Sequence, residues 1–354
     1  MILSLLALDL GVLNRKSHVI STGEALKWTA FWITLALLFA VFIFFAYGGK
    51  SGENPWFDYL GSMRDPVDNI HNTGTTAAIK YLTGYIVEES LSMDNIFVIA
   101  MIMAYFGVPP MYQHRLLFWG ILGALVLRGT MIGVGAALIA TFHWILYVFG
   151  VFLIFTAIRM FFMKHESADP NRNFLVRFAR RLFPVTSRYH GSYFVVRAGS
   201  TASHKAVVPG GIVELDEAVE KASPGTIMLT PLAIALVMIE TTDLIFAVDS
   251  IPAIFAITGD PFLVFTSNVF AILGLRSLYF ALAGMLNKFR FLKPALSLVL
   301  LIIGIKMLVA DFLKDLLGKN FNLYLLGVVV FILAMGVVVS LIWKPRQTRD
   351  DPSM

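Results

Sequence analysis

The chain has 354 residues, 58% of them hydrophobic and only 14% charged, with a mean hydropathy of +0.77. A soluble domain carries about 25% charged residues, so a chain this apolar lacks wettable surface and reads as an integral membrane protein. The net charge of +5 fits basic cytoplasmic loops rather than a nucleic-acid partner, and the lack of cysteine excludes disulfides, thiolate catalysis, iron–sulfur clusters and thiolate metal sites.

A helix needs about 20 apolar residues to cross the hydrocarbon core. Residues Met1–Leu13 form an apolar stretch too short to cross alone, read as an incomplete first helix, a re-entrant segment or a mis-set start, and not as a signal peptide. Full spans follow near Trp28–Tyr47, Thr75–Tyr105, Leu116–Ala140 and Trp144–Met163, then near Met228–Ile257, Val264–Leu286, Ala295–Phe312 and Tyr324–Trp343. Five segments result: 1–74 with the first helices and an outer loop, 75–163 as one repeat, 164–227 as a cytoplasmic linker, 228–312 as a second repeat, and 313–354 as a last helix and tail.

Alternate connections are basic. Arg15, Lys16 and Lys27 precede the second span, His114–Arg115, Lys164–Gly225, Lys288–Lys293 and the tail from Lys344 follow, and Gly48–Gly74 is acidic through Glu53, Asp58, Asp65 and Asp68. With nine spans this alternation places the amino terminus outside and the carboxyl terminus in the cytoplasm. Within Lys164–Gly225, the stretch Gly191–Val208 alternates as a small hairpin would. A linker between two halves is favoured there over a gating element.

Two segments share a pattern: Glu88-Glu89-Ser90-Leu91-Ser92-Met93-Asp94-Asn95-Ile96 and Asp243-Leu244-Ile245-Phe246-Ala247-Val248-Asp249-Ser250-Ile251. Each is an acid, five residues, Asp, a small polar residue and Ile, and each is followed by an intramembrane arginine, Arg128 or Arg276. Each copy holds three spans, an odd number, so two copies joined by a cytoplasmic loop must run in opposite directions. Inverted repeats of this kind recur in secondary transporters, with the substrate site at their interface.

Glu88, Glu89, Asp94, Glu240, Asp243 and Asp249 all fall inside apolar spans. At about 2.5–3.5 kcal/mol each on insertion scales, none can face lipid, so they must face an interior with their charge balanced. Candidate bases are Arg128, Arg276, Lys80 and Lys306, the lysines also being able to snorkel. The acids outnumber the arginines, which favours cation binding over purely structural pairing. Carboxylates with Asn95 and Ser250 are hard oxygen donors that suit Mn²⁺, Mg²⁺ or Ca²⁺. Met93 and Met238 read as packing, and none of the seven histidines lies within the acidic spans. Pro252 predicts an opened helix that turns Asp249 inward, and Gly84 and Ser92 predict a weaker opening in the first copy. Asp9 either joins the cluster or caps an incomplete helix. No nucleophile–base motif or HExxH helix points to an enzyme, and nothing points to a prosthetic group.

GYIVEESLSMDNIFVIAMI around Glu88–Ile96, IETTDLIFAVDSIPAI at Ile239–Ile254, LALDLGV at Leu6–Val12 and NVFAILGLRSLYF at Asn268–Phe280 strongly resemble the TerC (tellurium-resistance C) family. The resemblance covers nearly the whole chain and departs only at the short start. It implies a bacterial inner-membrane exporter of Mn²⁺, within the wider LysE-type exporter group. The family's acidic metal positions carry over to Glu88, Asp94, Glu240, Asp243 and Asp249, with Glu89, Asn95, Ser250, Arg128 and Arg276 in support. The expectation is therefore an all-α bundle of about nine spans with two inverted three-helix repeats. It would export a divalent cation by alternating access, with protons as the coupling ion. The rival readings are an exporter of amino acids or other organic cations, and a non-transporting stress-response scaffold linked to tellurite resistance. An acidic cavity should repel the tellurite oxyanion itself.

Overall fold

The computed structural model describes residues 22–49, 60, 64–142, 144–162, 173–199, 216–282, 291–309 and 321–342. The expected features at Met1–Leu13, with Asp9, and the basic tail from Lys344 lie outside these residues, as do Glu53 and Asp58. The helices are α1 (Thr22–Ala46), α2 (Gly74–Phe106), α3 (Pro110–Thr141), α4 (Ile145–Phe162), α5 (Phe174–Leu182), α6 (Glu217–Glu220), α7 (Pro231–Phe255), α8 (Pro261–Leu282), α9 (Leu292–Leu308) and α10 (Phe321–Ile342). Two strands, β1 (Val195–Arg197) and β2 (Ile227–Leu229), lie between α5 and α7.

Each of the eight full-length spans expected from the sequence falls on one of these helices. Six of them, α1, α3, α4, α7, α8 and α10, are long and apolar enough to cross a membrane. The chain is a polytopic helical membrane protein. Its outer faces expose large apolar side chains such as Leu38, Phe45, Phe155, Phe162, Phe331 and Ile342, which lipid accommodates and water would not.

Local chemistry fixes the helix ends. At α2, the Thr73 and Thr76 hydroxyls accept from each other's backbone N–H at 3.3 and 2.7 Å, a reciprocal cap. The helix stops at Gly107, whose φ of 63° is left-handed. Thr230 caps α7, and Pro231 occupies its first turn, where a missing N–H costs nothing. Neither acidic helix is broken. α2 runs without interruption past Gly84 and Ser92, and α7 runs through Pro252 to Phe255. Pro252 removes one backbone donor, the one that would reach the Val248 carbonyl, yet α7 continues through it to Phe255, so the opening expected there does not occur.

α2 packs on α7 and α8, α3 packs on α7 and α8, and α4 packs along α9. Exchanging α2–α3–α4 with α7–α8–α9 maps this set of neighbours onto itself. Gly150 and Gly304 let α4 and α9 approach closely: a methyl group added at Gly304 would stand 3.0 Å from the Gly150 carbonyl oxygen.

The polar insert covers the end of the bundle where α2 finishes and α7 starts. Tyr189 donates to the Phe106 carbonyl at 2.7 Å, Thr230 donates to the Tyr193 carbonyl at 2.8 Å, and Arg115 stacks over the Phe194 ring at 5.5 Å. Within the stretch Gly191–Val208, where a hairpin was expected, the described residues make a longer-range pairing. β1 runs antiparallel to β2 with Val195 opposite Leu229, because Val196 and Met228 share a small core with Ala198 and Val219. Residues 200–208 lie outside the described set. At the opposite end, Asp65 accepts from Thr258 and Gly259 just beyond α7, and also from Lys80 near the start of α2. The two acidic helices therefore run antiparallel.

A candidate cation site at the centre of the bundle

The midpoint of the bundle is organised around one arginine. Arg128 on α3 is almost fully buried, and its fork grips Asp243 of α7 with Nε donating to Oδ2 at 3.2 Å and Nη2 donating to Oδ1 at 2.8 Å. Its Nη1 pairs with Glu88 of α2 and donates to Asn268 Oδ1 of α8 at 3.2 Å. Asn95, two turns along α2 from Glu88, donates to Asp243 Oδ1 at 2.8 Å. Four helices thus meet at one guanidinium. Low solvent access makes these charge-assisted bonds strong and makes loss of any partner expensive.

The centre keeps spare oxygen. Glu88 Oε2, Ser92 Oγ and Asn95 Oδ1 are buried and have no hydrogen-bond partner among the described residues. A cavity of about 20 Å³ opens beside Asn95 and Asp243, closed by Ile99, Leu117, Ile239 and Leu275. That is room for one water-sized occupant.

A family model described as the integral membrane protein TerC family matches residues 73–348. The chain belongs to the TerC family. Several relatives align over nearly their whole length with this TerC chain. An uncharacterized membrane protein of Myxococcus xanthus, STKORF319, is 41% identical over 100% of this chain and 94% of its own. A Salmonella typhi protein named "Putative membrane-bound redox modulator Alx" is 38% identical over 95% of this chain and 90% of its own. An uncharacterized membrane protein of Rickettsia bellii is 35% identical over 97% and 95%. No solved structure matches the chain.

Of the acids singled out in this TerC sequence, the structure brings Glu88 and Asp243 together and spreads the others around them. Asp249 turns toward α4, accepting from Thr156 Oγ1 at 3.1 Å with the charge of Arg159 acting on it. It does not enter the centre, because the unbroken α7 keeps it about 9 Å along the axis from Asp243. Ser250 is buried with its hydroxyl unpartnered among the described residues. Asp94 is half-buried on α2, six residues beyond Glu88 and next to Asn95. Glu240 lies with its carboxyl against Gly123 of α3, and Glu89 faces Gly274 of α8 near Trp32 of α1. Arg276 is buried on α8, about 12 Å along that helix from Asn268. Among the described residues no three carboxylates or histidines converge as a ready metal cluster.

The two intramembrane lysines serve elsewhere. Lys80 lies 2.8 Å from Asp65, 2.7 Å from Asp68 and 2.7 Å from the Asn72 amide oxygen, all buried. Lys306 donates to the Ala256 carbonyl at 2.5 Å. Around Asp65 a polar seal closes the end of the bundle away from the insert. Tyr47 donates to Asp260 at 2.7 Å, and Asp260 also caps α8 through the Phe262 N–H at 3.0 Å. Burial alone would raise the Asp65 carboxyl, but the charge of Lys80 and the bonds from Lys80 and Thr258 outweigh it and hold the group below the usual range. Asp260, pushed up mainly by its own burial and further by the charge of Asp65, moves the other way.

Asn268 and Thr156 were not singled out as site residues in the sequence. Asn268 could have been, since a buried amide inside an apolar span needs a partner there. Thr156 carries no such signal, because a threonine in a span satisfies itself by bonding back to its own helix.

Proposed function

We propose that this TerC protein is a secondary transporter that exports a divalent cation, with Mn²⁺ the favoured cargo. The observation that carries the reading is the meeting of Glu88 and Asp243, the corresponding acids of the two sequence copies, at the middle of the bundle. With Lys80 and Lys306 engaged elsewhere, the spans hold six carboxyl groups (Glu88, Glu89, Asp94, Glu240, Asp243 and Asp249) against Arg128 and Arg276, with the charge of Arg159 acting on Asp249. That acidic excess favours cargo of positive charge over an oxyanion. Oxygen donors from carboxylates and amides favour a hard cation, and cysteine, the ligand of soft metals, is absent from the sequence.

The neighbour pattern supports two inverted three-helix repeats, α2–α4 and α7–α9. In the alternating-access cycle we propose, Asp94 and Asp249 form stations on the cation path, and Glu240 and Glu89 serve as additional ligands or proton acceptors. Protonation from outside releases the metal, because coordinating carboxylates must be ionised. The basic insert, with Arg177, Arg180 and Arg181 on α5, lies on the cytoplasmic side of a bacterial inner membrane, the amino terminus outside. The name of the Salmonella relative raises redox modulation as a second reading. This chain has no cysteine, so a thiol–disulfide route is closed to it.

The test is Mn²⁺ efflux from metal-loaded cells carrying the wild type, Asp94→Asn or Asp249→Asn at matched membrane abundance. Loss in both variants supports a transport site shared between the copies. Undiminished efflux in both makes these acids structural and returns attention to a scaffold or an organic-solute exporter. Efflux that persists when the pH gradient is collapsed removes proton coupling.

A further inference from the structure

We propose that Arg128 is a tethered competitor of the transported cation, occupying the central position that the metal must take. This rests on the transport reading above and adds the identity of the group that the cargo displaces. Three observations carry it. The first is position. The Arg128 guanidinium lies between Glu88 and Asp243, the paired acids of the two copies, where a divalent ion would have to sit to be held by both repeats at once.

The second is stoichiometry. Two carboxylates and one guanidinium leave the centre with one net negative charge if both acids are ionised. Replacing the guanidinium by a divalent cation brings it to zero. Either occupant satisfies the acids, and both together would add repulsion between cations in a site of low dielectric. Exchange is therefore favoured over co-occupancy.

The third is room and spare ligands. The Arg128 fork uses both oxygens of Asp243 but leaves Glu88 Oε2, Asn95 Oδ1 and Ser92 Oγ buried without hydrogen-bond partners among the described residues. A purely structural arginine would be expected to saturate the groups around it, since an orphaned buried acceptor is destabilising. Here Glu88 pairs with Arg128 itself, Asn95 lines the small cavity beside Asp243, and Ser92 lies between them on α2, one turn from each. They are oxygen donors, suited to a hard divalent ion that brings no ligands of its own. Arg128 would then do two things. With the site empty it neutralises the acids, allowing the transporter to return without cargo. During release it re-enters and displaces the metal, so the cation is not trapped.

The experiment is Mn²⁺ binding to the purified full-length protein by isothermal titration, with Mn²⁺ uptake by proteoliposomes measured in parallel. Arg128→Met removes the competitor. Its dissociation constant for Mn²⁺ is expected to fall about tenfold or more, because the wild-type affinity is reduced by the fraction of time the guanidinium holds the site. Turnover is expected to fall, because release loses its displacing group. Arg128→Lys keeps the charge but not the two-pronged grip, so it should bind Mn²⁺ several-fold tighter than wild type; this variant carries the test if Arg128→Met does not purify as a single species. Unchanged or weaker binding in whichever variant folds overturns the competitor role while leaving the transport reading intact. A wild type that neither binds nor moves Mn²⁺, beside variants that behave identically, overturns the transport reading itself.

Discussion

Arg128 and Asp243, 115 residues apart in sequence, are joined by two parallel hydrogen bonds of 3.2 and 2.8 Å at the point where four helices meet. The bidentate match fixes both side chains, so neither acid nor base is free to find another partner without a rearrangement of the whole centre. Asp243→Asn keeps the shape but takes one of the two carboxylates from Arg128, leaving Glu88 and the Asn268 amide oxygen. We expect it to destabilise the fold by about 3–5 kcal/mol, the usual cost of stranding one member of a buried pair. Thermal unfolding in detergent, followed by tryptophan fluorescence, checks this. An unchanged midpoint would mean that Arg128 is not committed to Asp243 in the folded protein.

Thr156 on α4 holds Asp249 by a single hydroxyl donor at 3.1 Å. Thr156→Val preserves volume and removes that donor, and a hydrogen bond to a charged group contributes about 1.5–3 kcal/mol. If Asp249 is a station on the cation path, efflux should fall about tenfold while the amount of protein in the membrane stays the same. Full efflux would mean that Asp249 does not need its orientation.

Lys80 ties Asp65 and Asp68 to the start of α2, and through Asp65 it ties the α7–α8 turn. Lys80→Met strands two buried carboxylates together. A loss of about 3–5 kcal/mol is expected, read as a lower unfolding midpoint. Adding Asp65→Asn should restore part of it. A double variant no more stable than Lys80→Met would show that the seal is not held by this pair.

The seal also predicts a pH dependence with two opposed signs. Asp65, held low in the fold, contributes stability above about pH 4, the ordinary carboxylate range, and loses it as pH falls through its own lower value. Asp260, pushed up by burial, contributes fully below that range and loses its contribution as pH rises through its raised value. Asp260→Asn should therefore flatten the decline in melting temperature as pH rises above about 4, and Asp65→Asn should flatten the decline below about pH 4. Curves parallel to the wild type in both variants would place the pH dependence elsewhere.

Gly304 meets Gly150 where α4 crosses α9, with no space for a side chain. Gly304→Ala should cost about 1–3 kcal/mol through overpacking against Ile154 and the Gly150 carbonyl, again read by thermal unfolding. A neutral result would mean the two helices can part without penalty.

Much of this protein was legible in the residue string, and the reason is the solvent. Lipid forces every crossing segment to be a long apolar helix, so α1 to α4 and α7 to α10 could be read one by one from hydropathy. The same solvent makes each intramembrane carboxylate conspicuous, which is how Glu88, Asp94, Glu240, Asp243 and Asp249 stand out without any contact map. Local signals were weaker guides. Pro252 suggested an open helix, yet α7 runs through it to Phe255 with the loss of a single backbone donor. The alternation at Gly191–Val208 suggested a hairpin, yet β1 pairs with β2 some thirty residues on, because the apolar partner Met228 is there.

The sequence by itself determined the membrane class, the helices, the duplicated acidic motif and the family. Only the tertiary structure decided which charges meet. Sequence spacing offers Arg128, Arg276, Lys80 and Lys306 as equal candidates to balance the acids. Packing assigns Arg128 to Glu88 and Asp243, sends Lys80 to the polar seal around Asp65 and Lys306 to the Ala256 carbonyl, and turns Asp249 away to Thr156. The physical reason is that a buried charge is satisfied by whatever lies within about 3 Å of it. On antiparallel helices that neighbour is set by depth and by the rotation of each helix about its axis, which hydropathy and spacing within a single helix do not encode.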